Sequence, residues 1–540
     1  MHSGDVQAVE LVFLLLLLFV VAFGALARKL RTPYPIILVI AGALLGFVPD
    51  IPKITLNPDV IFFVILPPLL YAAAWATSWR EFSYHLVSIL MLAFGLVAFT
   101  VLGVSAAAHW LFPGFDWRLG FVLGAIIAPT DALAATSIAK RIGLPKRAVD
   151  ILEGESLVND ATGLLALEFG ILMVVRGQTP TVTEGLGRIA FLVFAGLAVG
   201  LVTGWIVDRI ERHIDDGPIE IAISILTPYA AYFAADRIHA SGVLAVVACG
   251  LYLSRRSSEF FSPEVRLQAW GAWDSLTFIL NGLVFVLIGL QLPHVLAGIQ
   301  EYPLSTLLLY GTLFSGLVIV LRLLWMFPGA RLANLIRTRI LHQNEKLPSW
   351  RGLLVVGWTG MRGVIALAAA IALPETLANG DPFPQRNLIV FLAFSVILVT
   401  LVLQGLTLPF VVRVLGVAGA GGLSNETEDE EKSARREMLD AALAYLEESR
   451  KEDESEFEEI YNDLTGHYQH RLAAVSGKDD PENGLTPEHK ERHTRLLLDL
   501  LRVERQTALR LRNQGRINDE TLRQLEYELD LREANPSASI

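Results

Sequence analysis

Leu152-Glu153-Gly154-Glu155-Ser156-Leu157-Val158-Asn159-Asp160 is a polar run set into an otherwise apolar stretch from Ile151 to Val175, long enough to cross a bilayer. An ionised side chain at the centre of a bilayer costs about 2.5 to 3.5 kcal/mol on insertion scales, so acids at that depth line an ion path or pair with another charge. Three acids and one amide within nine residues demand such a reason. At helical spacing Ser156 lies one turn from Asp160, and Glu155 one turn from Asn159, so two adjacent faces of one helix carry the polar groups.

The composition agrees with a bilayer setting. The chain has 540 residues, 53% of them hydrophobic and 18% charged, with a mean hydropathy of +0.49. A soluble protein of this length is not so apolar, and the expectation is an all-α polytopic membrane protein. The formal charge is −11, and most of the acidic excess lies after about residue 424. Cys249 is the only cysteine, which excludes a disulfide within the chain and argues against a cysteine-held metal or redox chemistry. A phosphate-binding Gly-x-x-x-x-Gly-Lys loop is missing, so direct drive by ATP is not expected, and nothing suggests an enzyme or a nucleic-acid partner.

Apolar segments fall near residues 9–27, 33–49, 59–77, 85–112, 118–138, 150–175, 186–208, 218–236, 240–254, 267–292, 303–327, 352–374 and 387–412, about thirteen spans. The first ends in Ala25-Leu26-Ala27 and imitates a signal peptide, but Asp5 and Glu10 precede it and Arg28-Lys29 follow it, so it reads as a retained helix. With the N-terminus outside, Lys and Arg favour the inner loops by about three to one, which predicts a cytoplasmic C-terminus and a multi-pass protein of the cytoplasmic membrane.

Two spans are interrupted. The fifth contains Ala128-Pro129-Thr130-Asp131, and the twelfth Gly357-Trp358-Thr359-Gly360-Met361-Arg362-Gly363. Proline and clustered glycine break a helix, and broken helices at membrane depth line cavities or hold ions. The two breaks carry opposite charges, Asp131 and Arg362. Lying seven spans apart, they run in opposite directions, the layout of two inverted six-span repeats with broken helices crossing at the midplane. Residues 1–415 form the transmembrane part. After a glycine-rich linker, residues 416–540 read as a soluble α-helical tail with helices around 430–475 and 488–532, in which Leu439, Leu443 and Leu446 share one face.

A dehydrated monovalent cation takes hard oxygen ligands. Asp160 supplies charge, Ser156 a hydroxyl and the unwound backbone at Thr130 a carbonyl, a Na+ set drawn from three residues. Asp131 either joins them, directly or through water, or caps the half-helix that follows; the residues leave both open. Arg362 keeps its proton and needs a counter-ion, for which Glu155 is the choice. Glu153, nearer the inner end, is expected to be solvated or to line the entry funnel, and Arg322, near the inner end of the eleventh span, is expected to snorkel. Glu168, Asp208, Asp236, Asp274 and Asn281 are read mainly as structural. Cation and proton would compete for Asp160, which predicts electroneutral antiport without a cofactor.

These motifs resemble the monovalent cation/proton antiporters of the NhaP and eukaryotic sodium/proton exchanger type, over roughly residues 9–412. The strongest likeness lies in Gly154 to Asp160, Ala128-Pro129-Thr130-Asp131-Ala132 and Gly360-Met361-Arg362-Gly363, and Phe62 to Tyr71 is similar to the stretch linked to amiloride sensitivity. The resemblance implies a homodimer whose core domain moves against a dimerisation domain. It also implies Asp160 as the ion-binding carboxylate, Asn159 as its support, Ser156 and the Thr130 carbonyl as ligands, and Glu155 with Arg362 as an ion pair. The order Asn159-Asp160 resembles electroneutral members. One departure is Ala72, where several archaeal members carry an acid. Sodium is the expected cation, with lithium or potassium as alternatives, and roles in pH homeostasis and sodium tolerance follow. The rival readings are a potassium/proton antiporter, an ion channel and a membrane ion sensor.

Overall fold

The computed structural model describes residues 3–30, 32–48, 57–112, 115–177, 181–300, 302–343, 347–377, 380–417, 423–452, 458–476, 487–514, 525 and 529. The chain divides into two compact units, Met1–Gly421 and Gly422–Ile540. Among the described residues every extended element is a helix, and helices lie in all thirteen predicted apolar segments. Among the described residues eight helices are long and apolar enough to cross a membrane, and Tyr34–Gly46 and Trp117–Ile127 are shorter apolar helices. Leu14, Leu18, Phe194, Leu226, Leu308 and Phe410 are exposed on the first unit, a surface suited to lipid rather than water.

Small residues let backbones approach. A Cβ on Gly42 would lie 2.5 Å from the Val286 carbonyl oxygen, and one on Gly289 would overlap the Val39 carbonyl. The helices Tyr34–Gly46 and Pro263–Leu290 therefore pack through reciprocal glycines, as helices without a hydrophobic driving force between them require.

Three helices loosen into π turns, at Ile61–Ile65, Met91–Leu96 and Thr400–Gln404. The first precedes Pro67 and Pro68, which have no N–H to give to the preceding turn. Tyr229 fills part of that gap, its hydroxyl donating to the Val64 carbonyl at 2.9 Å. Tyr229→Phe is expected to cost about 1 kcal/mol, read as a lower thermal midpoint of the purified protein; an unchanged midpoint would deny the hydroxyl this role. At the second π turn, Trp325 Nε1 donates to Met91 O at 3.1 Å and the Thr162 hydroxyl to Ala93 O at 2.7 Å. The second of these ties the acidic helix to its neighbour.

The helix Leu304–Arg339 has 36 residues and runs through Pro328, well past the predicted end of its span. At 1.5 Å per residue it is about 54 Å long, against a hydrocarbon core of about 30 Å. Arg322 thus sits in the middle of a helix.

The second unit contains the helices Leu423–Glu452, Glu458–Ser476 and Pro487–Asn513. Arg450 and Glu458 pair at 2.8 Å across the junction of the first two. The predicted continuation of the last helix to residue 532 lies largely outside the described residues.

Candidate functional site

Both predicted breaks are present, and they meet. Trp117–Ile127 stops before Pro129 and resumes as Ala132–Ile142, while Trp350–Trp358 stops at Thr359 and resumes as Val364–Ile371. The Asp131 N–H donates to the Met361 carbonyl at 2.8 Å, joining one unwound segment to the other. A half-helix ends in carbonyls without partners and a partial negative charge. Each carboxyl end that points into the crossing is met by an arginine. Arg362 Nε donates to Ile127 O at 3.1 Å, and its guanidinium also donates to Gly360 O. Arg322 donates to Gly357 O at 3.2 Å and Val356 O at 3.3 Å. The Arg362 N–H is held by the Thr400 hydroxyl at 3.2 Å, so a π turn anchors the crossing from the side.

Asp131 lies against Gly363, the residue that opens Val364–Ile371, and so faces the positive amino end of a half-helix. A Cβ on Gly363 would lie 2.6 Å from Asp131 Cβ and overlap the carboxylate. Gly363→Ala must push Asp131 aside. It is expected to raise the cation concentration for half-maximal exchange several-fold while the protein still folds; an unchanged value would show that the position of Asp131 is immaterial.

The acidic motif lies on the helix Lys146–Arg176, where Glu155, Asn159 and Asp160 are all buried. The Thr130 hydroxyl donates to Glu155 Oε1 at 3.0 Å and accepts from Asn159 Nδ2 at 2.8 Å. One hydroxyl therefore locks the broken helix to the acidic one. The expected pair of Glu155 with Arg362 is corrected here. Glu155 is taken by Arg322, Nη1 to Oε1 at 2.5 Å and Nη2 to Oε2 at 2.9 Å, with both side chains buried. Arg322 does not snorkel: it is fully buried, and its guanidinium is taken up by Glu155 and by the Gly357 and Val356 carbonyls. Among the described residues no carboxylate pairs directly with Arg362; the carbonyls of Ile127 and Gly360 accept hydrogen bonds from its guanidinium.

A cavity of about 1590 Å³ opens beside this network. Thr130, Asp131, Ser156 and Asp160 line it, as do Glu153 and Ala72. Arg28, Tyr34, Asp274, Thr277 and Asn281 line it too. Asn159 stands behind, its Oδ1 buried without a hydrogen-bond donor. Asp160 is only 7% exposed, and among the described residues no hydrogen bond or ion pair holds its carboxylate. Of the buried acids in the motif, one is neutralised by arginine and one faces the cavity free.

Residues 14–414 match the family described as sodium/hydrogen exchanger, transmembrane. The chain belongs to that family. This exchanger is 34% identical over 522 residues to an uncharacterized Na(+)/H(+) exchanger of Mycobacterium tuberculosis, covering 95% of this chain and 94% of that one. It is 31% identical over 541 residues to the sodium, potassium, lithium and rubidium/H(+) antiporter of Bacillus subtilis, covering 97% of this chain and 78% of the relative. Its fold is similar to that of the sodium proton antiporter MjNhaP1 from Methanocaldococcus jannaschii, with a TM-score of 0.58 at 19% identity over 76% of this chain and 99% of the other.

The exchanger has two site residues that motif reading missed, Arg322 and Thr400. Arg322 carried a usable signal, since Leu321-Arg322-Leu323-Leu324 is apolar on both sides of the charge. Thr400 carried none, because a threonine inside an apolar span ordinarily bonds its own helix. It does that too, donating to Val396 O at 2.7 Å. Among the acids read as structural, Glu168 pairs with Arg188 at 3.1 Å and Asp208 with Arg212 at 3.0 Å.

Proposed function

We propose that this exchanger swaps one monovalent cation for one proton, with Asp160 taking each in turn. The observation that carries this reading is the buried Asp160 carboxylate, which faces the cavity without a partner while Arg322 neutralises Glu155. In this reading a cation entering the cavity meets Asp160, the Ser156 hydroxyl and the Thr130 carbonyl. The Thr130 hydroxyl is already committed to Glu155 and Asn159, so the carbonyl is the oxygen left for the cation. Asp131 sits at the crossing to complete the shell, and Asn159 supports it from behind. Because cation and proton compete for a single charge, their fluxes are coupled and no net charge moves.

Sodium is the cation we assign. Ala72 adds no ligand to the wall, which favours a tolerant site that also admits lithium or potassium. The cavity lining includes Thr32, Ile142 and Arg413, beside the segments predicted to face inward, so we read this conformation as open to the cytoplasm, with the N-terminus outside and the tail inside. We further assign a homodimer in the cytoplasmic membrane, with residues 1–415 as the antiporter and 416–540 as a regulatory tail.

The test is exchange in sealed proteoliposomes with sodium, lithium or potassium gradients, measured with the membrane potential clamped at zero and at a large imposed value. Equal rates support one-for-one exchange. Rates that follow the potential would mean that a second carboxylate, Asp131, carries charge as well.

A further inference from the structure

A second cluster of ligating groups lies away from the cavity, between the start of the helix Trp79–Leu90 and the start of the helix Lys146–Arg176. Glu81 and His85 are one turn apart on the first, and Asp150 faces them from the second. One ligand atom from each of the three lies within 4.8 Å of the other two. His85 is 3% exposed, and its Nδ1 is buried without a hydrogen-bond partner. A buried imidazole with one nitrogen unbonded, in a ring that has two carboxylates within ligating reach, carries a cost unless something arrives to use it.

We propose that Glu81, His85 and Asp150 form a site for a transition-metal dication of the zinc class. A neutral imidazole and two carboxylates suit zinc, with water in the fourth position. Ligand atoms on one zinc at about 2.0 to 2.1 Å lie roughly 3.4 Å apart, so the three close onto the ion by rotation of the two half-buried carboxylates around a fixed His85. Three cations surround the site. Lys146 reaches Glu81 at 3.9 Å and is largely exposed, so it gives way readily. Arg147 also faces the cluster, and Arg337 is held nearby through the Tyr84 carbonyl at 3.3 Å. A bound ion would tie the helix that carries Asp160 to the helix that begins at Trp79. Neither the exchange chemistry nor Asp160 takes part.

The test uses the full-length protein, stripped of metal, in detergent. Zn2+ is titrated against a chromogenic chelator, and thermal unfolding is followed at each metal level. The wild type is expected to take up one ion that His85→Gln and Asp150→Asn each weaken more than about tenfold, since even losing a hydrogen-bond partner of a metal ligand costs roughly 10- to 100-fold. Zn2+ is expected to raise the wild-type thermal midpoint and not that of either variant. The tail also carries His467, His470, His489 and His493, and a protein with all four changed to Gln should behave as the wild type, separating the site from the tail. If His85→Gln does not fold, Asp150→Asn carries the comparison. Wild-type protein that takes up no zinc, or variants that titrate and stabilise as the wild type does, would overturn the proposal.

Discussion

Arg322→Met is expected to destabilise the protein by about 3 to 5 kcal/mol, because it leaves the Glu155 carboxylate charged and buried with only the Thr130 hydroxyl to hold it. The same substitution removes the cap from the Gly357 and Val356 carbonyls, so the damage should centre on the crossing of the broken helices. Removing both charges is a different matter. Arg322→Met combined with Glu155→Leu should recover much of the loss, since a buried ion pair is often no more stable than well-packed apolar groups of similar size. Thermal unfolding of the two single variants and the double variant gives the coupling directly. Equal and additive losses would mean that the pair is not the electrostatic unit described here.

Asp160→Asn is expected to abolish exchange while leaving the fold intact. The amide keeps the volume and removes the charge. A cation about 4 Å from a carboxylate gains about 4 kcal/mol at an effective dielectric of 20, so losing that charge weakens cation binding roughly a thousandfold. The amide also has no proton to exchange. Because no arginine leans on Asp160, the thermal midpoint should move far less than in Arg322→Met. Exchange that survives at a tenth of the wild-type rate or more would remove Asp160 from the centre of the account. Arg322 and Asp160 therefore make opposite predictions: one variant loses its fold, the other its transport.

The local motif made half of this site legible. Thr130, Asp131, Glu155, Asn159 and Asp160 were all visible as polar groups where apolar ones belong, and both breaks followed from proline and clustered glycine. What could not be read was the partner of each charge. Motif reading pairs Glu155 with Arg362 because that arginine lies in a recognised break, whereas hydropathy puts Arg322 at a span end. Hydropathy falls at Phe327-Pro328, yet the helix passes through the proline to Arg339, and so the arginine is central. Arg362 misled for a related reason. A search for carboxylates overlooks the carbonyls at a half-helix end, which carry enough negative charge to satisfy a guanidinium. Of the π turns, Ile61–Ile65 has a mark in the sequence, Pro67 and Pro68 just after it; Met91–Leu96 and Thr400–Gln404 have no comparable proline signal.

The most direct measurement is proton release from purified, weakly buffered protein when sodium is added, followed with a pH indicator. Close to one proton per chain should be released at saturating sodium, at a pH where Asp160 is protonated beforehand, and none from Asp160→Asn. Release of the same size from the variant, or sodium binding by the wild type without any proton release, would contradict competition of cation and proton for this one carboxylate.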